Sequence, residues 1–320
     1  MKFSRSLSAR KNNLEQNKKM EMNKHRILVF DVETTGLLPK ASKASKASKG
    51  PSDPSVVNPF NIDPSVVNPF SIDPSVVNPF SIDLNPYIIQ FSFILYNLQT
   101  RAIERKHDFY INPPIDIPEI ITEITGITKE TCVKKGVPII VALDCFYDCY
   151  TMSNTVIAHN MAFDAAMVRI ELERNREEID RIAHYCLNIF DATFEKSHGI
   201  DQFCTMRYGT NICNIMVLRV SSAARLNPSL PLEVSREPKE TKEPKEILVQ
   251  SNPDITAKPP TKYKKWPTLL EFHQHLFNTA PETLHNSIVD VLVCLRCFLK
   301  SHKRIVIDDD EFAHIIKSCF

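Results

Sequence analysis

The stretch ILVFDVETTGLLPK, residues 27–40, places two carboxylates, Asp31 and Glu33, one residue apart at the end of an apolar run. Residues i and i+2 of a strand share a face, with Cα atoms ~6.6–7 Å apart. Two unpaired carboxylates that close repel, and one of them must hold its proton above the usual range. A divalent cation removes the repulsion, and hard oxygen ligands select Mg2+ or Mn2+. The chemistry this suggests is metal-assisted, and Gly36 is expected to permit a tight turn just after the pair. A strand that ends in solvated acids would look the same, so the pair needs support from elsewhere in the chain.

Two more acids supply it. Asp164 stands in AHNMAFD, in the first turn of a helix that follows a strand. An acid there is also favoured by the helix dipole. Asp290 stands in HNSIVD, near another helix start, with His285 five residues ahead of it. Ser287 as N-cap and Asp290 three residues on would also make a capping box. Asn160 reads equally as an N-cap or as a support for the turn or a substrate. What local explanations leave out is the ordered set: four acids and one histidine, each at the edge of an element.

The elements that must position them read as an α/β domain. Strands are expected at 26–32, 87–97, near 107–112, at 155–160 and at 201–206. Helices are expected at 139–152, from about 162, and at 286–300. In the second helix Phe163, Ala166, Met167 and Ile170 make one apolar face. RIVIDDDEFAHIIKSCF, 304–320, reads as a short strand, an Asp cap and a helix.

Two low-complexity loop inserts interrupt this pattern. The first, about 40–84, opens KASKASKASK and continues with DPSVVNPFNI and two copies of DPSVVNPFSI. Ten residues is short for a solenoid repeat, and two prolines per unit argue against sheet. Tandem duplication within a loop explains it, since closure entropy grows slowly with loop length; a repeated NPF docking motif is the functional alternative. The second insert, about 218–261, contains REPKETKEPKE. It is rich in residues that cannot bury enough apolar area to offset ordering.

The 320 residues carry a net charge of +1, which excludes binding through a global basic surface. Lys262, Lys264, Lys265 and Trp266 can be read as a local strand contact or as a solvated linker with a core Trp. Nine cysteines lack a framework spacing, which points to free thiols in a reducing compartment. The pairs Cys294/Cys297 and Cys145/Cys149 read as buried core thiols before they read as zinc ligands. No apolar run reaches the ~18–20 residues of a membrane span, so no membrane partner is expected. The first 26 residues hold eight Lys/Arg and two Glu; they read as a basic flexible tail, with a faint transit-peptide character.

FDVETTG, AHNMAFD and HNSIVD together resemble the three exonuclease motifs of the DEDDh 3′–5′ exonucleases. That family includes the proofreading epsilon subunit of bacterial DNA polymerase III. PYIIQFSF and ITGITKE extend the resemblance, and FCTMRYGTNIC is similar to exonuclease-like proteins of large DNA viruses. The family commonly has Ala where this chain has Ser287, a small residue expected to leave the helix seated normally. Asn286 stands where the Tyr subclass has its tyrosine, so the His subclass fits.

The resemblance implies a ribonuclease H-like fold, a mixed five-stranded sheet flanked by helices. The exonuclease domain would span 26–302, after a tail at 1–25 and before a strand–helix extension at 303–320. It implies two Mg2+ or Mn2+ ions held by Asp31, Glu33, Asp164 and Asp290, with His285 as general base. Thr34, Thr35 and Leu37 would bracket the terminal nucleotide. The implied activity is removal of nucleoside 5′-monophosphates from single-stranded 3′ ends, DNA favoured over RNA. A polymerase or replication complex is a candidate partner, and cytoplasm, nucleus or viral factory the expected setting. The alternatives are an RNA exonuclease of the same fold and a non-catalytic scaffold.

Overall fold

The computed structural model describes residues 23–39, 82, 84–219, 261–281 and 284–318. The readings made of the basic tail before residue 23, of the decapeptides and of residues 220–260 lie outside these. The fold divides into two compact units, one reaching Cys213 and resuming at Trp266, the other Asn214–Lys265.

The first unit is built on a mixed five-stranded sheet, as expected of a ribonuclease H-like fold. Its strands are β1 (Arg26–Thr34), β2 (Ile88–Asn97), β3 (Ala102–Tyr110), β4 (Thr155–Ala158) and β5 (Asp201–Cys204), in the order β3-β2-β1-β4-β5. β1 runs antiparallel to β2 and parallel to β4, so it is central. Around the sheet lie α1 (Glu119–Thr125), α2 (Lys129–Lys135), α3 (Ile139–Met152), α4 (Met161–Arg174), α5 (Arg176–Ile182), α6 (Ala192–His198), α7 (Thr205–Cys213), α8 (Leu269–Phe277), α9 (Ser287–Phe298) and α10 (Asp309–Lys317).

Alternation along β1 decides where the layers go. Leu28, Phe30 and Val32 point to one core, shared with Phe146 of α3 and Met167 of α4. There Phe30 meets Phe146 edge-on, with ring centroids 5.2 Å apart. Ile27 and Val29 point to the other core, which α9 fills with Ile288, Val291, Leu292 and Leu295. Asp31 and Glu33 continue this second face. The acids therefore emerge where the apolar seam between β1 and α9 ends.

Several elements depart from the sequence reading. β3 begins at Ala102, five residues before the expected start. The strand expected at 201–206 stops at Cys204, and helix α7 follows directly. Residues 304–307 form no strand. Arg304 has φ +58° and turns the chain. The Ile307 carbonyl accepts instead from the buried guanidinium of Arg296, at 3.1 and 3.0 Å. Arg296 lies between the rings of Phe277 and Phe312, 3.9 and 4.5 Å from their centroids. The Asp cap does hold, with Asp308 accepting from the Glu311 N–H at 2.8 Å.

In the second unit β6 (Met216–Arg219) pairs antiparallel with β7 (Thr261–Lys264), Met216 facing Lys264. The ends of the second insert are thus adjacent strands. Lys262 and Lys264 are exposed there; Trp266, half-buried, belongs to the first unit.

The ends of the first insert also meet. The Thr35 N–H donates to the Tyr87 carbonyl, and the Tyr87 N–H to Thr35 Oγ1, both at 2.9 Å. Arg174 clasps the returning segment, Nη2 donating to the carbonyls of Ile82, Asn85 and Pro86 at 3.1–3.2 Å. Its guanidinium lies 3.7 Å from the Tyr87 ring centroid. Deleting 42–81, which spares Ile82, is therefore expected to leave melting temperature and nuclease rate close to those of the full chain. A large fall in either would show that the repeats pack onto the domain.

Candidate active site

The structure brings Asp31, Glu33 and Asp290 together: one carboxylate oxygen of each lies within 4.8 Å of the others. Among the described residues this is the one such group of three or more potential ligands. Asp31 and Glu33 come from the mouth of β1, and Asp290 from the first turn of α9. Asp164, in the first turn of α4, lies outside that triangle but is buried and repelled by Asp31.

The electrostatics of these acids are ones that a divalent cation would relieve. Burial raises the Asp31 pKa to about 7. Burial, with repulsion from Asp31 and Asp290, raises Glu33 to about 9. Burial and repulsion from Asp31 raise Asp290 to about 8. Asp164 is pushed well above the usual range by burial and by Asp31, against a bond from the Val32 N–H. Asp164 Oδ2 and Asp290 Oδ1 are buried without a hydrogen-bond partner. Buried carboxylate oxygens without partners are groups that divalent ions bind. These residues fit Mg2+ or Mn2+.

A pH dependence follows. Unfolding returns these groups to their ordinary values of 3.8 or 4.5. Between those values and about 9 the folded, metal-free cluster therefore holds more protons than the unfolded chain. Its contribution to stability is complete below about pH 4 and is lost as pH rises through about 7 to about 9. Divalent ions bind the deprotonated cluster. The rise in Tm on adding Mg2+ should thus be several degrees larger near pH 9 than near pH 6, at roughly 2–4 °C per kcal/mol. Melting curves with chelator and with excess Mg2+ across this range check it; an increment that does not grow with pH would contradict it.

His285 is exposed and has φ +69°, uncommon for a residue with a side chain. Its N–H donates to Asp290 Oδ2 at 3.2 Å, so the backbone, not the imidazole, makes this contact with the acid. The capping box read at Ser287 does not form. The N-cap is Asn286, whose side chain makes no cap bond. Ser287 is already inside the helix, and its Oγ donates to the Asp31 carbonyl at 2.8 Å. The serine that stands in for the family's alanine thus ties α9 to β1.

The turn after β1 is built differently from the expectation. Gly36 has no positive φ, and a Cβ there would meet nothing within 4 Å, so the turn does not require glycine. The Thr34 hydroxyl donates to the Gly36 carbonyl at 2.6 Å, and that of Thr35 receives Tyr87. Both threonines are buried, whereas Leu37 is 52% exposed. Asn160 occupies the N-cap of α4 in the left-handed region, φ +78°, with no side-chain cap bond. His159, beside it, is structural: its ring meets Thr205 Oγ1 at 3.0 Å and the Pro267 carbonyl at 3.1 Å, and burial lowers its pKa to about 4. Cys149, Cys294 and Cys297 are buried in the two cores, and the eight described cysteines are free. The sequence reading missed Gln90, whose Oε1 accepts from the Ser287 N–H at 3.3 Å. The visible signal was an amide inside the apolar run YIIQFSF.

The profile of the RNase_T family, described as Exonuclease, matches residues 77–207, which include Asp164. Residues 77–207 thus match an exonuclease family model, in keeping with the resemblance of the three motifs to the DEDDh 3′–5′ exonucleases. No curated protein matches it. Among solved structures it is similar to the nuclease domain of 3′hExo, a DEDDh family member bound to rAMP. That likeness has 16% identity, covers 48% of this chain and 60% of the other, and has a TM-score of 0.29. It is also similar to E. coli Exonuclease I in complex with a dA16 oligonucleotide, at 13% identity, 91% and 43% coverage and a TM-score of 0.41. The chain thus spans less than two thirds of either, and likenesses this distant say nothing of its substrate. Among the described residues no helix is long and apolar enough to cross a membrane.

Proposed function

We propose that this chain is a metal-dependent 3′–5′ exonuclease that removes nucleoside 5′-monophosphates from single-stranded ends, with DNA favoured over RNA. The observation that carries this reading is the carboxylate triangle of Asp31, Glu33 and Asp290 within 4.8 Å, with buried Asp164 close enough to repel Asp31. The four acids are the residues that would hold the ions. When bound, Mg2+ or Mn2+ supplies Lewis-acid polarisation of the phosphate and of the attacking water. His285 takes the water's proton as general base. The water oxygen bonds to phosphorus, the bond from phosphorus to the 3′ oxygen of the shortened strand breaks, that oxygen takes up a proton from solvent, and the phosphate stays on the released nucleoside's 5′ oxygen. Leu37 packs against the terminal nucleoside, while Thr34 and Thr35 hold the turn that presents it. Asn160, free of capping, turns its amide to the substrate. The preference for DNA rests on the proofreading members of the family. The free cysteines support a reducing intracellular compartment.

The test is degradation of end-labelled DNA and RNA oligonucleotides, in Mg2+ and in chelator. Stepwise shortening from the 3′ end in Mg2+ alone is expected, faster on DNA. Faster loss of RNA would reassign the substrate. No cleavage of either would overturn the enzyme reading.

A further inference from the structure

The first N–H groups of a helix have no partner within it and are usually satisfied by a cap. In α9 the N-cap side chain makes no such bond. The Ser287 N–H finds its acceptor on the sheet instead, in Gln90 Oε1 at 3.3 Å. Gln90 is 1% exposed and pairs across the ladder with Glu33. Its amide is oriented by a third residue. Asp108, on edge strand β3, accepts from Gln90 Nε2 at 2.8 Å and from Ser92 Oγ at 2.7 Å. A carboxylate only accepts, so the amide NH2 must face Asp108 and its oxygen must face the helix. Ser287 then closes the circuit through its hydroxyl to the Asp31 carbonyl. Both ends of this chain of bonds carry candidate site residues: Asp31 and Glu33 on β1, His285 and Asp290 at the start of α9.

We infer that Gln90 is a positioning residue for the exonuclease site, oriented by Asp108, which docks the first turn of α9 against the strand that carries Asp31 and Glu33. The inference rests on the exonuclease reading for its catalytic consequence, but the docking can be measured without activity. Glu33 and Asp290 come from different elements, so the carboxylate geometry is only as exact as the seat of the helix. Residues that orient metal ligands typically alter affinity or activity ~10–100-fold.

The test compares wild type, Gln90→Leu, Gln90→Glu and the pair Gln90→Glu with Asp108→Asn. Gln90→Leu removes the acceptor for Ser287. Gln90→Glu keeps an acceptor but sets two carboxylates against each other; Asp108→Asn restores a donor between them. Expected for Gln90→Leu are faster hydrogen exchange at the Ser287 amide, a Mg2+ requirement shifted upward in thermal titration, and turnover reduced ~10–100-fold. Gln90→Glu should show smaller losses of the same kind, recovered largely by Asp108→Asn. Unchanged Ser287 exchange in Gln90→Leu would overturn the inference whatever the activity. So would wild-type turnover and Mg2+ titration in a variant that is merely less stable to urea. Should Gln90→Leu not fold, equal behaviour of Gln90→Glu and the pair overturns it. If wild type itself cleaves nothing while Ser287 exchange responds to Gln90, the docking stands and the exonuclease reading falls.

Discussion

Asp31→Asn is expected to remove metal-dependent cleavage almost entirely, by at least about 10³-fold. Metal assistance contributes several kcal/mol to such reactions, and each 1.36 kcal/mol is tenfold in rate. Asp31 is the acid that repels both Glu33 and Asp290 and also Asp164. Asparagine keeps its shape but puts an NH2 donor among oxygens that must converge on cations. The folded protein should not suffer. Removing one charge from a crowded, buried set relieves repulsion, so the metal-free Tm should equal or exceed that of wild type. Loss of activity with an undiminished Tm would separate chemistry from folding. Near-wild-type cleavage would take Asp31 out of the site.

His285→Ala is expected to lower turnover ~10²–10⁴-fold, as loss of a general base does, and to leave metal binding much less affected. The separation has a structural basis. The contact between this residue and Asp290 is made by the backbone N–H, which alanine retains. The imidazole is exposed and forms no part of either core. A second variant, His285→Asn, suits the positive φ better, because asparagine tolerates the left-handed region. Turnover and Mg2+ titration would be compared for wild type and both variants. Unchanged turnover removes His285 from catalysis. Lost metal affinity in both would make it a ligand or a support for Asp290.

Most of this site was legible because its acids sit at strand and helix ends that the apolar pattern marks. Asp31 and Glu33 follow ILVF, and Asp290 stands in the first turn of α9, so the apolar pattern placed three candidate ligands near element edges. Their convergence was not legible from spacing. It depends on β1 lying between β2 and β4 and on α9 packing over Ile27 and Val29, contacts between residues far apart in sequence. Ser287 misled for the same reason. Its local pattern is that of a cap, but its hydroxyl serves a carbonyl 256 positions away. The C-terminal strand failed because a buried arginine, which no local pattern predicts, takes the Ile307 carbonyl. The seven-residue helices α1, α2, α5 and α6 are too short to show a period.

The placement of β1 makes this a naturally divisible domain. The strand that carries Asp31 and Glu33 is joined to the rest of the domain, on its C-terminal side, only through the first insert. A chain cut between Lys40 and Ser81 would yield two pieces, neither with a complete set of acids. Each would present a surface made for the other: the shorter an apolar strand, the longer a sheet with its central slot vacant between β2 and β4. The Thr35–Tyr87 bonds would then run between the two pieces and re-form only when the strand returns to its slot. Recovered cleavage on mixing the two pieces would then report strand insertion itself, with the nuclease serving as its own sensor of complementation.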